Sequence, residues 1–184
     1  MNNPDILFDE KILQKGAKIV KEVNREVAQI IGINAEDRTT CVKPSGNASV
    51  LLQTASGIHA EHSNMYIRNV QMNKESEITQ AIMKTNPYMV EDSVWSAGGT
   101  DVVVSFPILP KKGSMYKDDL LGVKHLELVK KAQKHWVEAG TNEDLCADKG
   151  VRHNVSNTII VDDWDQVEKY VFENRHSFAG ISFL

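Results

Sequence analysis

Apolar residues recur near helical spacing between positions 9 and 31. Ile12, Ile19, Val23, Val27, Ile30 and Ile31 carry the repeat, with Lys and Glu between them, and predict an amphipathic helix that Gly32 stops. Residues 39–43 follow a polar turn and are β-branched and strand-like, and Pro44-Ser45-Gly46 breaks them. Residues 47–53 resume a short helix with Val50, Leu51 and Leu52. Residues 54–64 form a small-residue loop holding His59 and His62. A strand is expected over 66–72, and a helix over 75–85 that Asn86-Pro87 ends. The dense β-branched run 101–106 reads as a buried strand.

The second long helix is predicted over 118–138. Leu121, Leu128, Val129, Ala132 and Trp136 share one face, and Asp118 and Asp119 suit its N-terminus. Residues 139–152 are a polar loop and 156–161 a strand. Asp162 or Asp163 can cap a helix through Trp164, Val167, Tyr170 and Val171, and 179–184 is a last apolar strand. Strands separated by helices imply parallel pairing, hence an α/β fold.

With 184 residues, the chain has room for one domain with a real core. The net charge of −4, with Lys and Arg spread along the chain, argues against duplex nucleic acid or an anionic membrane as partner. A nucleotide needs only a local anion site, so the acidic balance leaves it open. No apolar run reaches the length of a membrane span. The start, MNNPDILFDEK, has neither the basic region nor the apolar core of a signal peptide, so a cytoplasmic location is expected. Cys41 and Cys146 stand far apart, in neither a disulfide framework nor a metal-like spacing.

The chemistry concentrates in TTCVKPSGNASVLL, residues 39–52. A strand, a tight loop of small residues and a helix start point free backbone N–H groups at whatever sits above the strand end, and phosphate suits that geometry. Gly46 leaves the backbone open to approach. Ser45 and Ser49 offer hydroxyls, Asn47 a cap or an amide donor, and Lys43 a charge. The spacing is neither a Walker A loop nor a dinucleotide Gly-x-Gly-x-x-Gly. A plain strand–helix turn fits the local pattern equally well.

TTCVKPSGNAS followed by SGIHAEHSNMYIRNV resembles the sequence around the substrate phosphate loop of adenosylcobalamin-dependent (class II) ribonucleoside-triphosphate reductases. NPDILFDEKILQKGAKIVKEVN resembles the helix before that loop. VVVSFPI, HWVEAG, RHNVSNTIIVDDWDQVEKYV and GISFL resemble the segments after it, in the same order, so nearly the whole chain is covered. The resemblance implies the later portion of a ten-stranded α/β reductase barrel, a single segment over 1–184 that is incomplete on its own. It places the substrate phosphate contacts on Pro44, Ser45, Gly46, Asn47, Ala48 and Ser49. Many members have Thr where this chain has Asn47. The segment TNEDLCADKGVR, 141–152, is longer and more polar than the family's linker and reads as a local insertion.

In such enzymes a cysteine thiyl radical, initiated with adenosylcobalamin, abstracts the ribose 3′ hydrogen, and a cysteine pair supplies the electrons. By the resemblance, the three cysteines lie upstream of the helix that begins near Asp9. Neither Cys41 nor Cys146 occupies their positions, so this segment carries no catalytic residue. Both ends read as cuts through a longer enzyme. The expected partners are a ribonucleoside di- or triphosphate and the remaining reductase polypeptide that carries the cysteines. The cofactor, adenosylcobalamin, belongs to the complete enzyme and is not expected to be held by this segment alone. The complete enzyme would serve deoxyribonucleotide biosynthesis and DNA replication.

The other candidates have plainer readings. His59 and His62 lack a third metal ligand and are assigned to the loop or the surface. His125 and His135 are expected to be solvated or partly packed, and Arg68 to pair with a carboxylate. Cys41 is expected as a buried small hydrophobe, Cys146 as exposed, and Trp95, Trp136 and Trp164 as core anchors. Strands cut from a barrel leave open edges, so self-association or a partner is expected, with the VVVSFPI and GISFL strands the most exposed. The rival readings are a stand-alone nucleotide- or phosphate-binding module without chemistry, or an inactive remnant.

Overall fold

A computed structural model describes residues 3–184, the Asn47 side chain excepted. Met1, and with it the expectation about the chain start, lies outside the described residues. Two compact units are present: residues 1–61 with 111–184, and residues 62–110.

In the first unit, a single turn, α1 (Pro4–Leu7), leads into α2 (Glu10–Ile31). The Asp9 carboxylate accepts from the Ile12 amide at 2.9 Å and fixes the start of α2. Gly32, at φ 75°, ends it in the left-handed conformation. The helix therefore lies where its periodicity places it. The face it buries is a different one. Ala17 and Ala28 are buried, and a Cβ on Gly16 would lie 3.2 Å from the Trp136 ring. These small residues let the backbone come close. The apolar stripe Ile12, Ile19, Val23, Val27 and Ile30 faces outward, with Ile30 74% exposed.

The expected helix over 118–138 is divided. Asp118 and Asp119 sit in a separate 3-10 turn, Lys117–Asp119, and do not cap the helix that follows. That helix, α5 (Gly122–Ala132), begins at Gly122, which has φ 42° and an amide that donates to the Ile160 carbonyl at 2.8 Å. It continues into a wide π-helical turn, Gln133–Glu138. The buried line is Gly122, His125, Leu126, Val129, Ala132 and Gln133. Leu121, Leu128 and Trp136 lie at its margin, half-buried. Asp163 caps α6 (Trp164–Glu173) through the Gln166 amide at 3.1 Å, as one of the two aspartates at that position was expected to do.

The core of this unit is Phe8, Ile58, Leu120, Leu126, Val129, Ala132, Val137, Val155, Ile159 and Val167. The strand-like segments 39–43 and 156–161 run along it extended, 179–184 lies outside it except for the half-buried Ile181, and none of the three forms a continuous ladder. Val42 bridges Val155 and Ile159 bridges Phe183, both in the parallel sense.

The second unit holds a three-stranded sheet in the order β1-β3-β2, with β1 (Tyr66–Asn73), α4 (Glu77–Thr85), β2 (Val90–Asp92) and β3 (Asp101–Ile108) in chain order. Both pairings are antiparallel, with Val70 opposite Val104 and Met72 opposite Val102. The parallel pairing inferred from alternating helices and strands is overturned for this sheet, whereas the isolated bridges Val42–Val155 and Ile159–Phe183 of the first unit are parallel, and the fold is a mixed α/β segment. The VVVSFPI strand, expected at an open edge, is the central strand, and Val102 and Val104 are buried.

Several side chains also depart from expectation. Trp95 is 85% exposed and Trp164 is exposed, so of the three tryptophans only Trp136 anchors the core. Cys41 is exposed and Cys146 buried, the reverse of expectation, and the Cys146 thiol donates to the Asn142 carbonyl at 3.4 Å. Arg68 meets the Tyr66 hydroxyl at 3.1 Å instead of a carboxylate.

Gly140 packs its backbone directly against the buried Thr40 side chain, whose hydroxyl donates to the Trp136 carbonyl at 2.6 Å. A methyl group there would overlap Thr40 and break that hydrogen bond. Gly140→Ala is expected to destabilise the chain by about 2 kcal/mol, read as a lower midpoint in urea with an unchanged slope. An unchanged midpoint would show that the close approach carries no constraint.

Candidate functional site

The 39–43 segment lacks a ladder, so its backbone is satisfied piece by piece. The Thr39 amide donates to the Gly140 carbonyl at 3.0 Å. Trp136 Nε1–H donates to the Cys41 carbonyl at 3.0 Å, and His153 Nδ1 lies 3.1 Å from the Thr40 carbonyl. The Ser156 amide donates to the Val42 carbonyl at 2.9 Å. The buried Asn142 closes the far end, where its Nδ2 donates to the Glu36 carbonyl at 2.8 Å and its Oδ1 accepts from Arg25 at 2.8 Å. Thus the segment that delivers the loop is fixed from both sides.

The loop follows. Pro44, Ser45, Gly46 and Ala48 are exposed, Ser49 is buried, and α3 (Asn47–Leu52) begins at once. The Asn47 side chain, expected as a cap or donor, lies outside the described residues. Gly46 has φ 48° and ψ −121°, the first central position of a type II′ turn, which favours glycine. Nothing lies within 4 Å of where its Cβ would be. Several of the expected donors are engaged inside the loop. The Ser49 hydroxyl donates to the Gly46 carbonyl at 2.7 Å, the Ala48 amide to the Ser45 carbonyl at 3.0 Å, and the Ser45 amide to Ser56 Oγ at 3.0 Å. Among the described residues, the Gly46 amide, the Ser45 hydroxyl and the Lys43 ammonium have no such partner.

A second loop, 54–61, supports the first. Gly57, at φ 58°, packs so close that a Cβ would sit 2.9 Å from the Lys43 carbonyl oxygen. His59 Nδ1 lies 2.9 Å from the Ser56 carbonyl, and its Nε2 accepts the Thr158 amide at 3.0 Å. The His125 ring meets that of His59 edge-on, centroids 6.0 Å apart, and its Nε2 lies 3.0 Å from the Ile58 carbonyl. Burial pushes the His125 pKa from 6.5 down to about 4, against the raising effect of the Ile58 hydrogen bond and with a smaller lowering from His59. His125 and His135 are both buried, a correction to the solvated expectation. His135 Nδ1 meets Gln14 Nε2 at 2.9 Å. The sequence signal for His125 was present, since it stands four residues before Val129 on the buried line of α5. His62 is exposed and stacks edge-on with Tyr66 in the second unit. No three His, Cys, Asp or Glu side chains converge as metal ligands among the described residues. No helix among them is long and apolar enough to cross a membrane.

Beneath the loops lies a cavity of about 290 Å³ lined by Leu7, Phe8, Leu13, Val42, Ile58 and Trp136, among others. It offers apolar contact only, with no donor set for a polar cofactor.

The fold matches part of a larger solved structure. It superposes on the crystal structure of a B-12 dependent (class II) ribonucleotide reductase with a TM-score of 0.75 at 19% identity, over 95% of this chain and 23% of that one. In sequence it is 29% identical over 172 residues to a probable adenosylcobalamin-dependent ribonucleoside-triphosphate reductase of Dictyostelium discoideum, covering 92% of this chain and 20% of the relative. It is 25% identical over 126 residues to the adenosylcobalamin-dependent ribonucleoside-triphosphate reductase of Euglena gracilis, covering 68% of this chain and 17% of the relative. No family model matches the chain. The chain is a distant homologue of the adenosylcobalamin-dependent, class II ribonucleotide reductases, and it spans about a fifth of the length of the curated relatives it matches.

His125 yields a direct expectation. Its folded pKa lies below its unfolded value, so the unfolded chain binds the extra proton as pH falls from 6.5 toward 4. Stability should fall across that window, by up to roughly 3 kcal/mol, and be fully present above it. Urea unfolding of the wild type and His125→Gln between pH 4 and 7.5 checks this. The variant should lose much of the slope, and an identical slope in both would contradict it.

Proposed function

We propose that this chain forms the later portion of a ten-stranded reductase barrel and holds the phosphates of a ribonucleotide while thiyl-radical chemistry proceeds on cysteines of the remaining reductase. The observation that carries this reading is Gly46. It is an exposed backbone turn that favours glycine, it has open space in front, and it lies in a chain homologous to enzymes whose substrates bear phosphates. The Gly46 amide, the Ser45 hydroxyl and Lys43 are the groups left to meet an anion, with the remaining backbone of 44–49 shaping the cradle. Charge-assisted hydrogen bonds of this kind convert binding energy into orientation of the ribose. Adenosylcobalamin supplies radical initiation when bound to the complete enzyme. The apolar cavity under the loop does not suit it, and we assign no residue of this chain to it.

A partner is supported by the outward stripe of α2, where five large apolar side chains lie exposed along one helix face. The GISFL end adds exposed Phe183 and Leu184. Proteins normally cover such surface. Association, with itself or with the rest of the reductase, is therefore expected in sedimentation at micromolar concentration, and Ile19→Lys with Val23→Lys should weaken it. A wild type that stays monomeric with and without a complementary reductase polypeptide would count against the partner.

Two further outcomes test the activity. The chain alone, given ribonucleotides, adenosylcobalamin and dithiothreitol, should form no deoxyribonucleotide, because its two cysteines are fewer than the three required, and one of them is exposed and the other buried. Product that disappears in the Cys41→Ser, Cys146→Ser double variant would overturn the reading. In a complemented enzyme, Gly46→Val should weaken nucleotide binding at least about tenfold by calorimetry, through loss of the turn and of open approach. Unchanged binding would remove the loop from the site.

A further inference from the structure

The loop proposed to hold phosphate does not stand alone. Its Ser45 amide rests on the Ser56 hydroxyl oxygen at 3.0 Å, and Gly57 packs on the Lys43 carbonyl. The 54–61 support is in turn held at His59. A backbone amide can only donate, so the Thr158 N–H at 3.0 Å requires an unprotonated Nε2 on His59. A backbone carbonyl can only accept, so the Ser56 oxygen 2.9 Å from Nδ1 calls for a proton there. Both partners select one species, the neutral imidazole protonated on Nδ1. The neighbouring His125 is fixed by the same logic, since its Nε2 faces the Ile58 carbonyl at 3.0 Å and must carry the proton. Burial keeps that ring neutral as well, so the two rings meet edge to edge without a charge between them.

We propose that His59 is a positioning residue for the 43–49 loop, tying Ser56, on which the Ser45 amide rests, to the Thr158 backbone. The proposal rests on the phosphate reading for its function but not for its geometry. Loss of the ring leaves the Ser56 carbonyl with the His59 amide alone, at 3.2 Å, and frees the Thr158 amide, so the acceptor of the Ser45 amide is held less firmly. The loop would sample other turns, and an anion would have to reorder it on binding. The Nε2 link is the long-range half of the tie, spanning 99 positions of sequence, and Gln in place of His can restore an acceptor near the Nε2 position.

The test uses the full chain with ¹⁵N labelling. Imidazole spectra at pH 7.5 should show His59 protonated on Nδ1 and bare on Nε2. His59→Ala should raise hydrogen exchange at the Ser45 amide by at least about tenfold, while the amides of α6 keep their rates. A general loss of stability would raise both. Ser56→Ala, a smaller change, should raise Ser45 exchange in the same way and serves should His59→Ala fail to fold. With inorganic tripolyphosphate as probe, His59→Ala should weaken binding about tenfold, and His59→Gln should return it to within about twofold of wild type. A proton on Nε2 in the wild type, or Ser45 exchange unchanged in both alanine variants, would overturn the proposal. Failure of the wild type to bind tripolyphosphate would instead strike the phosphate reading, leaving the tautomer and exchange results to decide the tie.

Discussion

The structure of the first unit depends on one constraint: an extended segment, residues 38–43, runs along the core without a sheet to satisfy its backbone. Every buried amide and carbonyl in it must find another partner or cost roughly 1–3 kcal/mol. The partners come from around the segment. Gly140 and Trp136 meet it from the end of the π-helical turn, His153 and Ser156 from the following segment, and Asn142 anchors the residues before it. Thr40 fits against Gly140 because glycine leaves the room. The π-helical turn itself has a place in this. It changes the pitch after Ala132, so that Trp136 reaches Cys41 while Val137 enters the core. A loop delivered by so fixed a segment has a defined starting point, and that is what positioning a ligand requires.

The long helix α2 shows how two demands can share one element. Its small residues Gly16, Ala17 and Ala28 let it lie close to the π-helical turn, and Gln14, Lys21 and Arg25 secure it by hydrogen bonds to His135, Thr141 and Asn142. The large apolar residues are left on another face. Within the chain they contribute little burial. In a larger assembly the same stripe would contribute several side chains' worth of apolar area, each about 1.5–3 kcal/mol when fully buried. The sequence periodicity detected the stripe and could not tell which neighbour it serves.

Local features were legible in the sequence. The end of α2 was marked by Gly32 and the start of α6 by Asp162 or Asp163, because caps act over three or four residues. The dense run at β3 was marked as buried because β-branched residues on both faces leave few alternatives. Pairing was not legible. Whether β3 meets β1 in parallel or antiparallel register depends on residues far away in the chain, and the helix between them does not decide it. Burial of single side chains was equally hidden. Cys146 is buried with its thiol on the Asn142 carbonyl, and Trp95 is exposed although its type favours burial. The candidate loop was found by its composition and by its family resemblance. Its support, through Ser56, Gly57 and His59, became visible only when 54–61 was seen beneath 43–46.

The central claim is that the backbone at Gly46 meets phosphate. Amide chemical-shift mapping of the ¹⁵N-labelled chain, bound to a class II reductase polypeptide lacking this segment and titrated with a ribonucleoside triphosphate, tests it directly. The largest shifts should fall on the amides of Gly46 and its neighbours through Ser49, and should vanish with the corresponding nucleoside. Saturable binding that leaves those amides unmoved, or that moves them equally with the nucleoside, would contradict it.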